Sequence, residues 1–221
     1  MIEGGKHTLL AGRLAILLIL SSHAIHVGAQ PRVLPGNVDA DGFPVSPARI
    51  CLGATGTAHC YIPPDNGKAS PFGLAPKAST IAKLNSQDLT RFTATFDGGG
   101  SGSLTNFALL TVRNGEFVNL LPKVQLTNQS EYGVWSLPQF SNLPVLATAD
   151  FVWDFDRETH FAYHCYQIEL FGFDATTGSY RRWVAYKSAK KYKGLDETDV
   201  IHVLEPEKPT ILAKLQQRLT P

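Results

Sequence analysis

The stretch WDFDRETHFAYHCY, from Trp153 to Tyr166, sets three acids, two histidines and a cysteine among aromatics. Asp154, Asp156, Glu158 and His160 are the side chains in this chain whose types could do chemistry. A carboxylate pair flanking a sugar can hydrolyse a glycoside, and acids with an imidazole can hold a hydrolytic metal. His160 and His164 would meet on one helical turn, as zinc-binding pairs four residues apart do. Yet the segment is dense in aromatic and β-branched residues and has no helix cap in front of it, so it predicts a strand. In a strand the two histidines share a face about 13 Å apart, at roughly 3.3 Å per residue. Two imidazoles on one zinc must each come within about 2.1 Å of it. A strand also sends His164 and Cys165 to opposite faces, so the histidine cannot serve as base for the thiol. Cys165 falls on the side of Phe161, Tyr163, Phe171 and Phe173, where a thiol is buried and inert. The acids at 154–158 then occupy a turn and are solvated.

Other motifs are tested in the same way. NVDADG (Asn37 to Gly42) copies the first half of a calcium loop, with oxygen ligands at Asn37, Asp39 and Asp41 ahead of a glycine. The twelfth position, which should carry a bidentate glutamate, is Ala48, so an Asx-rich turn is the plainer expectation. DGGGSGS (Asp97 to Ser103) lacks the Lys-Ser/Thr of a phosphate cradle and reads as a connection between strands. Trp135, Trp153 and Trp183, with Tyr132, Tyr163, Tyr166 and Tyr180, could stack on a sugar or peptide if they form an exposed patch. Asn128-Gln129-Ser130 matches a glycosylation acceptor. No residue set calls for a cofactor.

The elements that must position these groups follow from texture. Lys6 and Arg13, the apolar run LAILLIL and small residues at Val27 and Ala29 predict a secretory leader over residues 1–29. Ser21, Ser22 and His23 break the apolar run short of the roughly 18 residues that span a bilayer, so no membrane anchor is expected after cleavage. Removing the leader takes two of 20 basic and one of 19 acidic residues, leaving 18 of each. Such a balance makes no electrostatic case for nucleic acid or anionic lipid. In an exported chain Cys51 and Cys60 predict a disulfide, with Cys165 left free.

Residues 30–86, rich in proline and glycine, predict a loop-rich arm with one short helix near KASTIAKL. Residues 87–221 change character. Asn114-Gly115 between two β-rich runs is a type I′ hairpin signal, and DATTG (Asp174 to Gly178) joins two later runs. The expected fold is mainly β, an antiparallel meander in a sandwich or open barrel-like sheet, closed by a C-terminal amphipathic helix. That helix carries Ile211, Leu212, Leu215 and Leu219 on one stripe, with Pro209 in its first turn. The functional expectation is a secreted or periplasmic, non-enzymatic domain that binds an extracytoplasmic protein or glycan. A secreted hydrolase using residues 154–160 and a structural envelope component are the alternatives.

Overall fold

The computed structural model describes residues 31–53, 59–65, 71–97, 102–153, 159, 162–193 and 202–219. The expected leader and the acids Asp154, Asp156 and Glu158 with His160 therefore lie outside the described residues. The chain builds four layers in sequence order. First comes a three-stranded sheet of β1 (Arg32–Leu34), β2 (Arg49–Cys51) and β3 (Cys60–Tyr61). Next is a five-stranded sheet of β4 (Leu74–Leu84), β5 (Gln87–Phe96), β6 (Leu104–Arg113), β7 (Glu116–Asn119) and β8 (Val124–Thr127). A second five-stranded sheet follows: β9 (Glu131–Trp135), β10 (Val145–Val152), β11 (Tyr163–Asp174), β12 (Ser179–Lys187) and β13 (Tyr192–Lys193). The helix α1 (Leu204–Leu219) comes last. Every strand pairing is antiparallel, and neither five-stranded sheet closes into a barrel.

Three apolar layers hold these together. Ile50 and Phe72 of the arm pack on Phe92, Phe96 and Leu110 of the first large sheet. On that sheet's other face, Leu89, Phe107, Leu109 and Leu126 meet Leu146, Phe171 and Tyr180 of the second, which makes a β-sandwich. Beyond it, Ala147, Ala149, Ile168 and Val184 receive Leu204, Ile211 and Leu215 of α1. Alternation produces this stack, because successive side chains of β6 and β10 serve opposite layers.

Turn chemistry sets the registers. Asn114 and Gly115 both have positive φ, 53° and 80°, as a type I′ turn requires. Asn85 and Ser86 do the same between β4 and β5, at 50° and 68°. Here the structure corrects the sequence reading. KASTIAKL is strand, not helix, and β4 begins at Leu74, so the arm stops well before residue 86. Register shifts between Leu74 and Lys77 and between Thr80 and Ala82 break the alternation that would have marked it. These irregularities, with Lys77 and Lys83, also suit β4 to its place as an edge strand.

The helix differs in one detail. It starts at Leu204, so Pro206 occupies the first turn and Pro209 the second. Ile211 and Leu215 are buried as the stripe predicts, Leu212 is half-buried, and the Leu219 side chain lies outside the described residues. Glu207 shares the buried face and accepts hydrogen bonds from the hydroxyls of Tyr186 (2.8 Å) and Tyr192 (2.6 Å). Glu131 of β9 accepts the N–H groups of Val203 and Leu204, so a carboxylate from the sheet caps the helix N-terminus. At the other end Arg218 donates to the carbonyls of Arg182 and Trp183.

Candidate functional site

Cys51 and Cys60 are directly opposite on β2 and β3 and form a disulfide. Leu52 N–H bonds to the His59 carbonyl beside them, so the cysteines form the non-hydrogen-bonded pair, whose side chains lie closest. Cys165 is free and buried. His164, its neighbour on β11, is also fully buried, its Nε2 2.8 Å from the Thr159 carbonyl and its ring edge-on to Phe151 and Trp153. The strand is real, and both of its faces are covered at His164 and Cys165.

In the NVDADG segment Asp39 Oδ1 accepts the N–H groups of Asp41 (3.1 Å) and Phe43 (2.8 Å). The Asn37 carbonyl accepts Val45 N–H, and Val38 bridges Pro44. This is an Asx turn closing a small hairpin, with one Asp39 oxygen bonded to its own backbone. Among the described residues no three histidine, cysteine or acidic side chains gather as a metal would require.

The three tryptophans all lie on the helix side of the second sheet, but α1 crosses between them. Trp135 packs beside the helix under Lys208, and Trp183 packs against the same core while lying across Gly172, where any Cβ would collide with the indole. Trp153, at the end of β10, is 47% exposed. They do not make one platform.

A more coherent surface lies on the opposite, inner face of the second sheet. Register places Tyr132, Thr148 and Glu169 in one row across β9, β10 and β11. Asp150, Gln167 and Lys187 form the next row, and Tyr163 pairs with Lys193 beyond them. Toward Leu146 and Phe171 this face is sealed by the sandwich core; toward Tyr163, which is 60% exposed, it opens to solvent. Asp150 sits where the change occurs. Its Oδ1 accepts the Thr127 hydroxyl and the Thr127 N–H (3.3 Å) from β8. Burial raises its pKa above the usual carboxylate value, the Thr127 bonds pull it back, and the nearby charge of Glu169 adds to the rise. Glu169 is ion-paired with Arg182 at 2.7 Å. Tyr132 stacks edge-on to Phe107 and lies under Arg91. The face therefore offers half-buried acids with fixed partners, exposed ammoniums and a tyrosine ring at its open end.

Reasoning from sequence looked for chemistry in the acidic turn and missed this row. The signal was present as parity: Asp150 in LATADFV, and Gln167 and Glu169 in CYQIELF, are polar at alternate positions inside strand-like runs. Comparison with protein-family models, characterised proteins and solved structures returns no match.

Proposed function

We propose that this chain is an exported, non-enzymatic binding domain that takes a protein or glycan partner on the open end of the second sheet's inner face. The observation that carries this reading is the exposed Tyr163 ring beside Lys193, on the same face as Gln167 and Asp150 and separated from them by the row of Val152 and buried Cys165. An aromatic ring with charged neighbours on a rigid sheet can engage a partner at small entropic cost. The Cys51–Cys60 disulfide fits an oxidising, extracytoplasmic environment. The leader expected over residues 1–29 would deliver the chain to that compartment.

The test compares the chain from Gln30 onward with its Tyr163→Ala variant against a glycan array and isolated extracytoplasmic proteins. Binding that falls at least about tenfold in the variant, a change of roughly 1.4 kcal/mol, with no change in melting temperature, supports the reading. Turnover of a glycoside or peptide by the purified chain, abolished by Glu158→Gln, would replace it with the hydrolase.

A further inference from the structure

We infer that the Cys51–Cys60 disulfide is a redox latch: its reduction by a dithiol frees β3 and withdraws Tyr61 from the outer face of the first large sheet. The inference is independent of the binding-face reading above. The two bridged strands are anchored unequally. Ile50 of β2 and its neighbour Ala48 are fully buried, and Ala48 N–H bonds to the Phe72 carbonyl (2.8 Å), so β2 is docked without help from the bridge. The strand β3 is two residues long and, among the described residues, pairs only with β2. Within that pairing the bridge joins the non-hydrogen-bonded pair, where the ladder itself contributes nothing. Apart from the bridge and the ladder, β3 rests on the Tyr61 ring, edge-on to Phe92 with centroids 5.9 Å apart, and on buried Pro63 just beyond it.

Beneath Tyr61 the contact is poor in hydrogen bonds. The Tyr61 hydroxyl, Asn106 Nδ2 and Gln125 Nε2 are buried without a hydrogen-bond partner among the described residues. Register sets Asn106 opposite Gln125, on the face of β6 that carries Ala108 against Phe92. The Asn106 amide is near enough to the phenol to oppose the rise that burial causes in its pKa, yet no bond of good geometry joins the two. Buried polar groups left unpaired favour exposure to water. Lifting β3 lets water reach the phenol and the Asn106 amide, and the covalent bridge holds the strand down against that gain. The sulfurs differ in access as such a latch needs: Cys51 is 1% exposed, whereas Cys60 is half-buried beside exposed His59. A thiolate of the dithiol attacks Cys60 Sγ, the S–S bond breaks, and Cys51 leaves as a thiolate that takes up a proton. The reductant's second thiolate then displaces Cys60, which is protonated in turn. The reductant is left as a disulfide, having given two electrons to the cystine.

The test treats the chain from Gln30 onward with dithiothreitol under native conditions, blocks the freed thiols with iodoacetamide, and maps nitration of each tyrosine by peptide mass. A Cys51→Ala/Cys60→Ala variant is nitrated alongside without reductant. Tyr61 should be nitrated at least about tenfold faster in both than in the bridged chain, as a local opening produces. Tyr166 should stay protected, Cys165 unalkylated and the β-sheet circular dichroism intact. Unchanged protection of Tyr61 in the reduced chain and in the variant overturns the inference, since the bridge then staples a strand that docks without it. Nitration of Tyr166 together with Tyr61, or alkylation of Cys165, overturns it as well, because the bridge then supports the whole fold and not one strand. So does a bridge that dithiothreitol opens only in denaturant.

Discussion

The rings of Tyr166 and Tyr192 meet edge to face 5.9 Å apart, yet their hydroxyls are placed differently. The Tyr192 hydroxyl donates to Glu207, whereas the fully buried Tyr166 hydroxyl has no hydrogen-bond partner among the described residues. Removing a bonded donor strands a buried acceptor and costs about 1–3 kcal/mol, while removing an unbonded hydroxyl costs little. Tyr192→Phe should therefore lower stability by about that amount and Tyr166→Phe should leave it unchanged or raised, as read in urea melts. Asp150 gives a second, pH-dependent case. Its pKa is raised by burial in the folded state, so the folded chain holds the proton more tightly than the unfolded chain. The stability this contributes is fully present below the ordinary carboxylate pKa and is lost as pH rises through the folded value. Asp150→Asn keeps an acceptor for Thr127 and removes the buried charge. At pH 7 the variant should melt higher than the parent, as read by thermal melts. The difference should close as pH falls to about 3, below the ordinary carboxylate pKa, where the parent carboxyl is largely neutral in both states.

At the level of elements, what was legible depended on whether a local signal survived its neighbours. The hairpin at Asn114-Gly115, the strand through Cys165 and the stripe of Ile211 and Leu215 all announce themselves in adjacent residues, and all three form. The strand β4 does not, because its bulges scramble the alternation and its Ala- and Lys-rich composition favours helix until β5 supplies partners. The inner-face row was hidden for a related reason. Asp150, Gln167 and Lys187 are far apart in sequence and become a row only through strand register. The helix dock was equally invisible, since nothing in the sequence around Glu131 points 72 residues ahead to Val203. That cap is testable. Glu131→Ala leaves the N–H groups of Val203 and Leu204 without their acceptor and should cost about 1–2 kcal/mol, the range for loss of a good helix cap. Glu131→Gln, which keeps an acceptor but not the charge, should cost less. Equal losses in the two variants would show that the dipole interaction, not the hydrogen bonds, carries the cap.

For the molecule as a whole, burial of phenols fixes an alkaline limit. Five of the seven tyrosines, Tyr61, Tyr166, Tyr180, Tyr186 and Tyr192, have pKa values raised above 10 chiefly by desolvation. The unfolded chain ionises them near pH 10 while the folded chain keeps them neutral, so stability is complete below that pH and is lost as pH rises above it. Tyrosinate absorbance from these five should appear together with loss of the β-sheet circular dichroism signal. Their ionisation ahead of unfolding would contradict the burial described here. The layered order of the fold bears on how the chain comes into being. Residues 32–61, 74–127, 131–193 and 204–219 each complete one layer before the next begins. A chain delivered from its N-terminus can thus set each layer down on the one already formed, without waiting for its far end. Only the last surface, around Ala149, Ile168 and Val184, stays bare until α1 is released, so a stop codon near residue 203 would yield a sandwich with one greasy side and a tendency to clump rather than a chain with no fold.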